Sequence, residues 1–210
     1  MAGRDNNQFK IVLLGEGCVG KTSLVLRYCE DKFNDKHLTT LQASFLTKRL
    51  NVGGKRVTLA IWDTAGQERF HALGPIYYRD SNGALLVYDI TDEDSFQKVR
   101  NWVKELRKML GDDISLVIVG NKSDLEKNRH VSKEEAEEYA ASVGAKHFST
   151  SAKLNRGIDD VFLDLTKRML SAKADRPARQ GGLGPMVGGS SAGVQITEDE
   201  APSSSGGCCG

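Results

Sequence analysis

"FKIVLLGEGCVGKTSLVLRYC", Phe9 to Cys29, decides the fold. Its opening, "FKIVLLG", is a continuous apolar run, the pattern of a buried strand. Residues 21–30 read as the helix that follows. Between them "GEGCVGKT", Gly15 to Thr22, fits G-x-x-x-x-G-K-[ST] in the strand-to-helix context that motif needs. The physical reason is close approach. Without Cβ atoms at Gly15, Gly17 and Gly20, backbone N–H groups can wrap a phosphate. Cys18, Val19 and Ser23 complete the cradle, and the helix aims its positive N-terminus at the same anion. Lys21 can neutralise β- and γ-phosphate charge, and Thr22 can offer its hydroxyl to Mg²⁺. The loop alone leaves the base open, adenine or guanine.

Further along, "ASFLTKRLNV" and "KRVTLAIWD" read as strands joined at Gly53-Gly54, a hairpin signal. "GALLVYDI" and "SLVIVGN" are continuous apolar strands, as in a sheet covered on both faces. "HFSTS" is a shorter one. Phe96, Val99, Val103, Leu106 and Leu110 recur at helical steps. Ser132 with Glu135 forms a capping box opening 133–143, and Ile158, Val161, Phe162, Leu165 and Met169 line a final helix. Strands alternating with helices predict an α/β fold: a mostly parallel six-stranded sheet, one antiparallel edge strand, and helices on both faces. Residues 1–7 are expected as a flexible N-terminus and 8–170 as one nucleotide-binding domain. From about 171 to 210 the chain turns rich in Gly, Ser and Pro, the composition of a disordered tail.

Formal net charge is +1, which argues against a nucleic-acid binder. No secretory signal is visible, and no apolar run approaches the ~20 residues of a membrane helix. The reading is a soluble, cytosolic protein with free thiols.

Two later motifs choose the base. "NKSD", Asn121 to Asp124, follows a strand directly, on the edge where such sheets bind ligands. Asp124 can accept from guanine N1–H and its exocyclic amine, donors that adenine does not present there. Asn121 can bond N7 and neighbouring loops, and the Lys122 stem can cover the ring. In "SAK", Ser151 to Lys153, the Ala152 N–H can reach O6. "WDTAGQE", Trp62 to Glu68, supplies the chemistry. Asp63 can hold the metal through water, Gly66 can bring its N–H to a γ-phosphate, and Gln67 can orient the attacking water. Thr40 can reach Mg²⁺ and that water only while the γ-phosphate is present.

Together "GEGCVGKT", Thr40, "DTAGQ", "NKSD" and "SAK" resemble the Ras superfamily of small GTPases over roughly residues 8–170. "IWDTAGQERF", "YYRD" and "VYDIT" are similar to its Rab family, in the early-endosomal branch. The resemblance implies a GTP phosphohydrolase of the small G domain type, with GTP and GDP as substrate and product. It implies Mg²⁺ on Thr22, Thr40 and, through water, Asp63. Phe33 would lie edge-on to the base, and residues around 36–45 and 64–78 would be switches. Phe45, Trp62 and Tyr77 match an aromatic triad that effectors read; as sequence they read equally as half-buried strand aromatics. Gln42, Asp80 and Ser81 depart from the family pattern and bear on partner identity rather than hydrolysis.

Unaided hydrolysis is expected on the order of 10⁻³ per second or less. The motifs hold no evident arginine finger; only Arg69 stands beside Gln67. The resemblance implies effectors at the switches, an exchange factor, a TBC-type activating protein, and a GDP-dissociation inhibitor holding a cytosolic pool. It implies a monomer on the cytoplasmic face of early endosomes, with Golgi or other vesicle membranes as alternatives. The ending "SSSGGCCG" is no C-a-a-X site, since the position four from the end is Gly207. Cys208 and Cys209 resemble instead a double-geranylgeranyl site, and two chains anchor where one does not. "VQI", Val194 to Ile196, is offered as a docking point for the prenylation escort protein. Rival readings are an ATP-using enzyme, a module that holds GTP without turnover, and a purely structural protein.

Overall fold

A computed structural model describes residues 7–35, 40, 43–64 and 74–175. The elements run β1 (Asn7–Leu14), α1 (Lys21–Glu30), β2 (Ser44–Val52), β3 (Lys55–Asp63), α2 (Gly74–Tyr78) and β4 (Gly83–Asp89). There follow α3 (Glu93–Leu110), β5 (Ser115–Asn121), a 3₁₀ turn (Ser123–Asn128), α4 (Lys133–Ser142), β6 (Lys146–Ser149) and α5 (Ile158–Asp175).

Among the described residues the strands form one six-stranded sheet, ordered β2-β3-β1-β4-β5-β6. Only β2 with β3 is antiparallel, and the remaining pairs are parallel. The hairpin turn has φ 56 at Gly53 and 77 at Gly54. Two successive positive φ values give the two-residue turn whose twist matches paired strands.

β1 shows why the sheet must be covered twice. Successive side chains point to opposite faces, and both sets are apolar. Phe9, Ile11 and Leu13 join a core with Leu24 and Val25 of α1 and Val161, Phe162, Leu165 and Met169 of α5. Val12 and Leu14 join a second core with Phe96, Val99, Val103 and Leu106 of α3 and Ala136 and Ala140 of α4. The helical steps expected for α3 and α5 are the buried stripes of those helices, save that Leu110 at the end of α3 is only partly buried.

Two boundaries and one cap differ from expectation. The final helix runs to Asp175, past the predicted start of the tail at 171, and β1 begins at Asn7, inside the predicted flexible start. One interaction joins the two extensions: Lys173 Nζ donates to Asn7 Oδ1 at 2.8 Å. The capping box at α4 is half made. Glu135 N–H donates to Ser132 Oγ at 3.1 Å, but the Glu135 carboxylate accepts from Arg100 of α3. The remaining tail, with the expected lipid site, lies outside the described residues.

This topology builds one functional edge. β1 pairs in parallel with both β3 and β4, so the chain after β1 leaves toward one side of the sheet and after β3 toward the other. The crevice beyond the carboxyl ends of such strands is where ligands bind.

Candidate functional site

The glycine-rich loop leaves the end of β1, and its neighbours fix its shape. Gly15 has φ +146, and a Cβ there would stand 2.1 Å from the Val87 carbonyl oxygen of β4. Gly20 has φ +94, and its Cβ would meet Asn121 Nδ2 at 2.4 Å. Both glycines are therefore required by the protein's own packing as well as by approach to a ligand. Gly20 places no side-chain cap on α1. Lys21, Thr22 and Ser23, the first turn, face a cleft of about 370 Å³.

Lys21 is buried, and its Nζ donates to the Gly15 and Glu16 carbonyl oxygens, each at 2.9 Å. Burial holds its pKa down to about 8, against the opposing pull of Asp63, Glu16 and Cys18. The ammonium is thus aimed under the loop before any ligand arrives. Glu16 is itself positioned: its carboxylate accepts from the Gly17 N–H at 3.1 Å and pairs with Lys98 of α3.

Three oxygens converge beside this loop. Thr22 Oγ1 donates to Asp63 Oδ2 at 2.6 Å and lies 2.5 Å from Thr40 Oγ1. Asp63 is fully buried at the end of β3, and its Oδ1 has no hydrogen-bond partner. Burial pushes its carboxyl pKa up, while Thr22 and Lys21 oppose the shift. An orphaned buried carboxylate oxygen beside two hydroxyls is an all-oxygen set that suits a hard cation keeping part of its water shell. Thr64 Oγ1 donates to the Leu13 carbonyl at 2.6 Å and ties the strand end to β1. Gly66 and Gln67 lie outside the described residues.

The other end of the same cleft holds the two later motifs. Asn121, 2% exposed, closes β5. Its Nδ2 donates to the Val19 carbonyl at 2.9 Å. Its Oδ1 accepts from Thr150 Oγ1 at 3.1 Å and from the Ala152 N–H at 3.4 Å. One amide so joins the phosphate loop to "SAK". Ser151 Oγ donates to Asp124 Oδ1 at 2.5 Å and fixes that carboxylate. Lys122 has φ 65 and pairs with Asp89 Oδ2 at 2.7 Å. Phe33 lines the opening, with the Arg27 guanidinium 5.8 Å over its ring, and Arg27 Nε donates to the Ala152 carbonyl at 3.0 Å. Lys153 pairs with Asp35 at 3.4 Å. Gly17, Cys18, Asp124 and Ala152 all line the one cleft.

This arrangement can be set beside known proteins. The Ras family description matches residues 10–171. The chain belongs to the Ras family. It is 74% identical to the Ras-related protein Rab-21 of Rattus norvegicus, over 96% of this chain and 91% of that protein. It is 69% identical to Rab-21 of Dictyostelium discoideum, over 77% of this chain and 76% of the other. The Rab-8A protein of Gallus gallus is 43% identical over 94% and 93%. It is accordingly a Rab small GTPase: it hydrolyses GTP, uses GTP and GDP, and serves membrane traffic. Rab proteins as a family work with effectors, exchange factors, activating proteins and a GDP-dissociation inhibitor.

In this Rab GTPase the three aromatics form one cluster. Phe45 and Trp62 are register partners across the hairpin, in edge contact at 5.4 Å, and Trp62 lies 6.4 Å from Tyr77. Trp62 and Tyr77 are half-buried, but Phe45 is 55% exposed. Sequence reasoning overlooked Asp89, Thr150 and Arg27. A signal existed for Asp89: "VYDIT" ends a strand with a carboxylate, as "IWDTA" does.

Proposed function

We propose that this Rab GTPase is a two-state switch. It holds GTP or GDP with Mg²⁺ in the cleft between "GEGCVGKT" and "NKSD"/"SAK", hydrolyses GTP slowly, and recruits effectors in the GTP state. The observation that carries this reading is the joining of phosphate loop and base motifs through the single Asn121 side chain.

Each residue's role follows from its place. The loop N–H groups and the first turn of α1 receive the phosphates. Lys21 neutralises their charge. Asp124, held by Ser151, accepts from the guanine N1–H and amine, and the Ala152 N–H, now on Asn121 Oδ1 at a long 3.4 Å, would turn to O6. Lys122 covers one ring face and Phe33 the edge. Thr22 and Thr40 would hold Mg²⁺ directly and Asp63 through water; the bound ion supplies charge neutralisation for the β- and γ-phosphates. Gln67 and the Gly66 N–H act as positioning groups for water and γ-phosphate. Thr40 meets the same Thr22 hydroxyl as Asp63, so loss of the γ-phosphate would free the segment around Thr40 and change the surface around Phe45 that effectors read.

The membrane assignment is also part of this proposal. Geranylgeranyl chains on Cys208 and Cys209 anchor the protein to the cytoplasmic face of early endosomes. An exchange factor and a TBC-type activating protein set the lifetime of each state.

Single-turnover hydrolysis of GTP by wild type and Gln67→Leu tests the catalytic part. A drop of about tenfold or more is expected; equal rates would leave a module that holds GTP without turning it over. Imaging wild type and Cys208→Ser/Cys209→Ser protein against an early-endosome marker tests the location. Wild type on that compartment and a diffuse variant are expected. A variant still on membranes would remove the lipid anchor, and wild type on another membrane would remove the endosomal assignment.

A further inference from the structure

Lys122 carries a task that its sequence position does not explain by itself. Its backbone is in the left-handed region, φ 65, at the turn from β5 into the 3₁₀ segment. It lines the cleft that holds the base motif. A lysine stem has many rotamers, and holding one of them carries an entropic cost. Something must aim it.

Asp89 stands where that aim is set. It ends β4 and is the register partner of Asn121, the residue before Lys122. It is only 7% exposed, and a carboxylate so buried must be paired. Its two oxygens are divided. Oδ1 accepts from the Thr91 N–H at 2.9 Å and the Thr91 hydroxyl at 2.8 Å. Oδ2 is left to Lys122 Nζ at 2.7 Å. The Ser95 hydroxyl also receives the Asp89 N–H at 3.1 Å. One oxygen fixes the carboxylate to the start of α3, and the other fixes the ammonium. We infer that Asp89 is a positioning residue for guanine nucleotide: it pins Lys122 so that the stem lies ready across the base, and thereby lengthens nucleotide residence. This rests on the reading of "NKSD" as the base motif.

The geometry supplies a selective variant. Asp89→Asn keeps an Oδ1 acceptor for Thr91 but replaces the charged oxygen facing Lys122 with an amide that does not hold an ammonium. Dissociation of fluorescent GDP is measured for wild type, Asp89→Asn, Lys122→Met and the double variant, with urea midpoints alongside. Asp89→Asn is expected to release GDP about tenfold faster, and the double variant to match Lys122→Met within about twofold. A structural role alone would add in both backgrounds. Thr91→Ala removes a hydroxyl from the other oxygen and leaves the ion pair. It is expected to keep wild-type release even if it lowers the midpoint, and it reports on the structural half should Asp89→Asn fold poorly. The proposal is overturned if Asp89→Asn releases GDP at the wild-type rate. It is equally overturned if that variant accelerates release as much in the Lys122→Met background, or if Thr91→Ala speeds release as much as Asp89→Asn. Wild type that binds ADP as tightly as GDP would instead overturn the base reading underneath.

Discussion

Gly20 holds the two halves of the site together by having no side chain. A methyl group there would enter the Asn121 amide and occupy a φ of +94, where L-residues are strained. Gly20→Ala should therefore weaken GDP binding by about 100-fold, two steps of 1.4 kcal/mol, as read by equilibrium titration; a loss under tenfold would mean that Asn121 can shift freely. Lys21 gives a different signature. With its pKa near 8 before ligand, it is partly neutral at alkaline pH, and a bound phosphate restores the charged form. GDP binding should then take up close to one proton at about pH 9 and almost none at about pH 7. Calorimetry in buffers of different ionisation heat measures this directly. Heats independent of buffer at the higher pH would refute it. At this scale the sequence was legible where a motif has a mechanism. It showed Gly15 and Gly20 but not the Val87 carbonyl and Asn121 amide that also demand them, because those contacts join residues far apart in the chain.

Elements carry their own tests. Ser132→Ala removes the cap of α4 and should cost about 1 kcal/mol in denaturant stability with GDP release unchanged. Strands β4 and β6, on either side of β5, share a half-buried acid-sensitive contact: Tyr88 Oη and His147 Nε2 lie 3.0 Å apart. Burial, aided by Arg129 and Lys133 against Glu137, holds the His147 pKa down to about 4. The folded value lies below the unfolded 6.5, so the unfolded chain gains the proton first. Stability is complete above about pH 6.5 and falls toward pH 4, by roughly 3 kcal/mol. His147→Leu should flatten that part of the stability curve; an unchanged slope would assign the loss to carboxylates. Periodicity announced every long element here, since α3 and α5 bury one stripe and β4 is buried throughout. It misplaced the end of α5 because composition signals a tail but not the Lys173–Asn7 contact that holds the last turn against the start of β1. It also missed that Glu135 serves α3 rather than its own cap, since a side chain with two possible partners is decided by packing.

For the molecule as a whole, the strand order could be expected only in outline. Alternating strands and helices imply a covered, mostly parallel sheet, but only the structure sets β1 between β3 and β4 and so locates the crevice. The aromatic cluster shows the same limit, for exposure decides between a core and a contact surface, and exposure is not written in a strand pattern. Phe45, 55% exposed, is the member best placed to meet a partner. Phe45→Ala should leave unaided hydrolysis within about twofold and stability within ~0.5 kcal/mol, while weakening effector capture by about tenfold or more. A large fall in stability would return Phe45 to a structural role.

The contact between Lys173 and Asn7 closes the domain at the end of the sheet away from the nucleotide. Chain entry and chain exit thus sit side by side. A domain with adjacent ends can be permuted or spliced whole into a loop of another protein. Joined by a short linker, residues 7 and 175 would close this one into a ring that can be opened elsewhere, at the Gly53-Gly54 turn for instance.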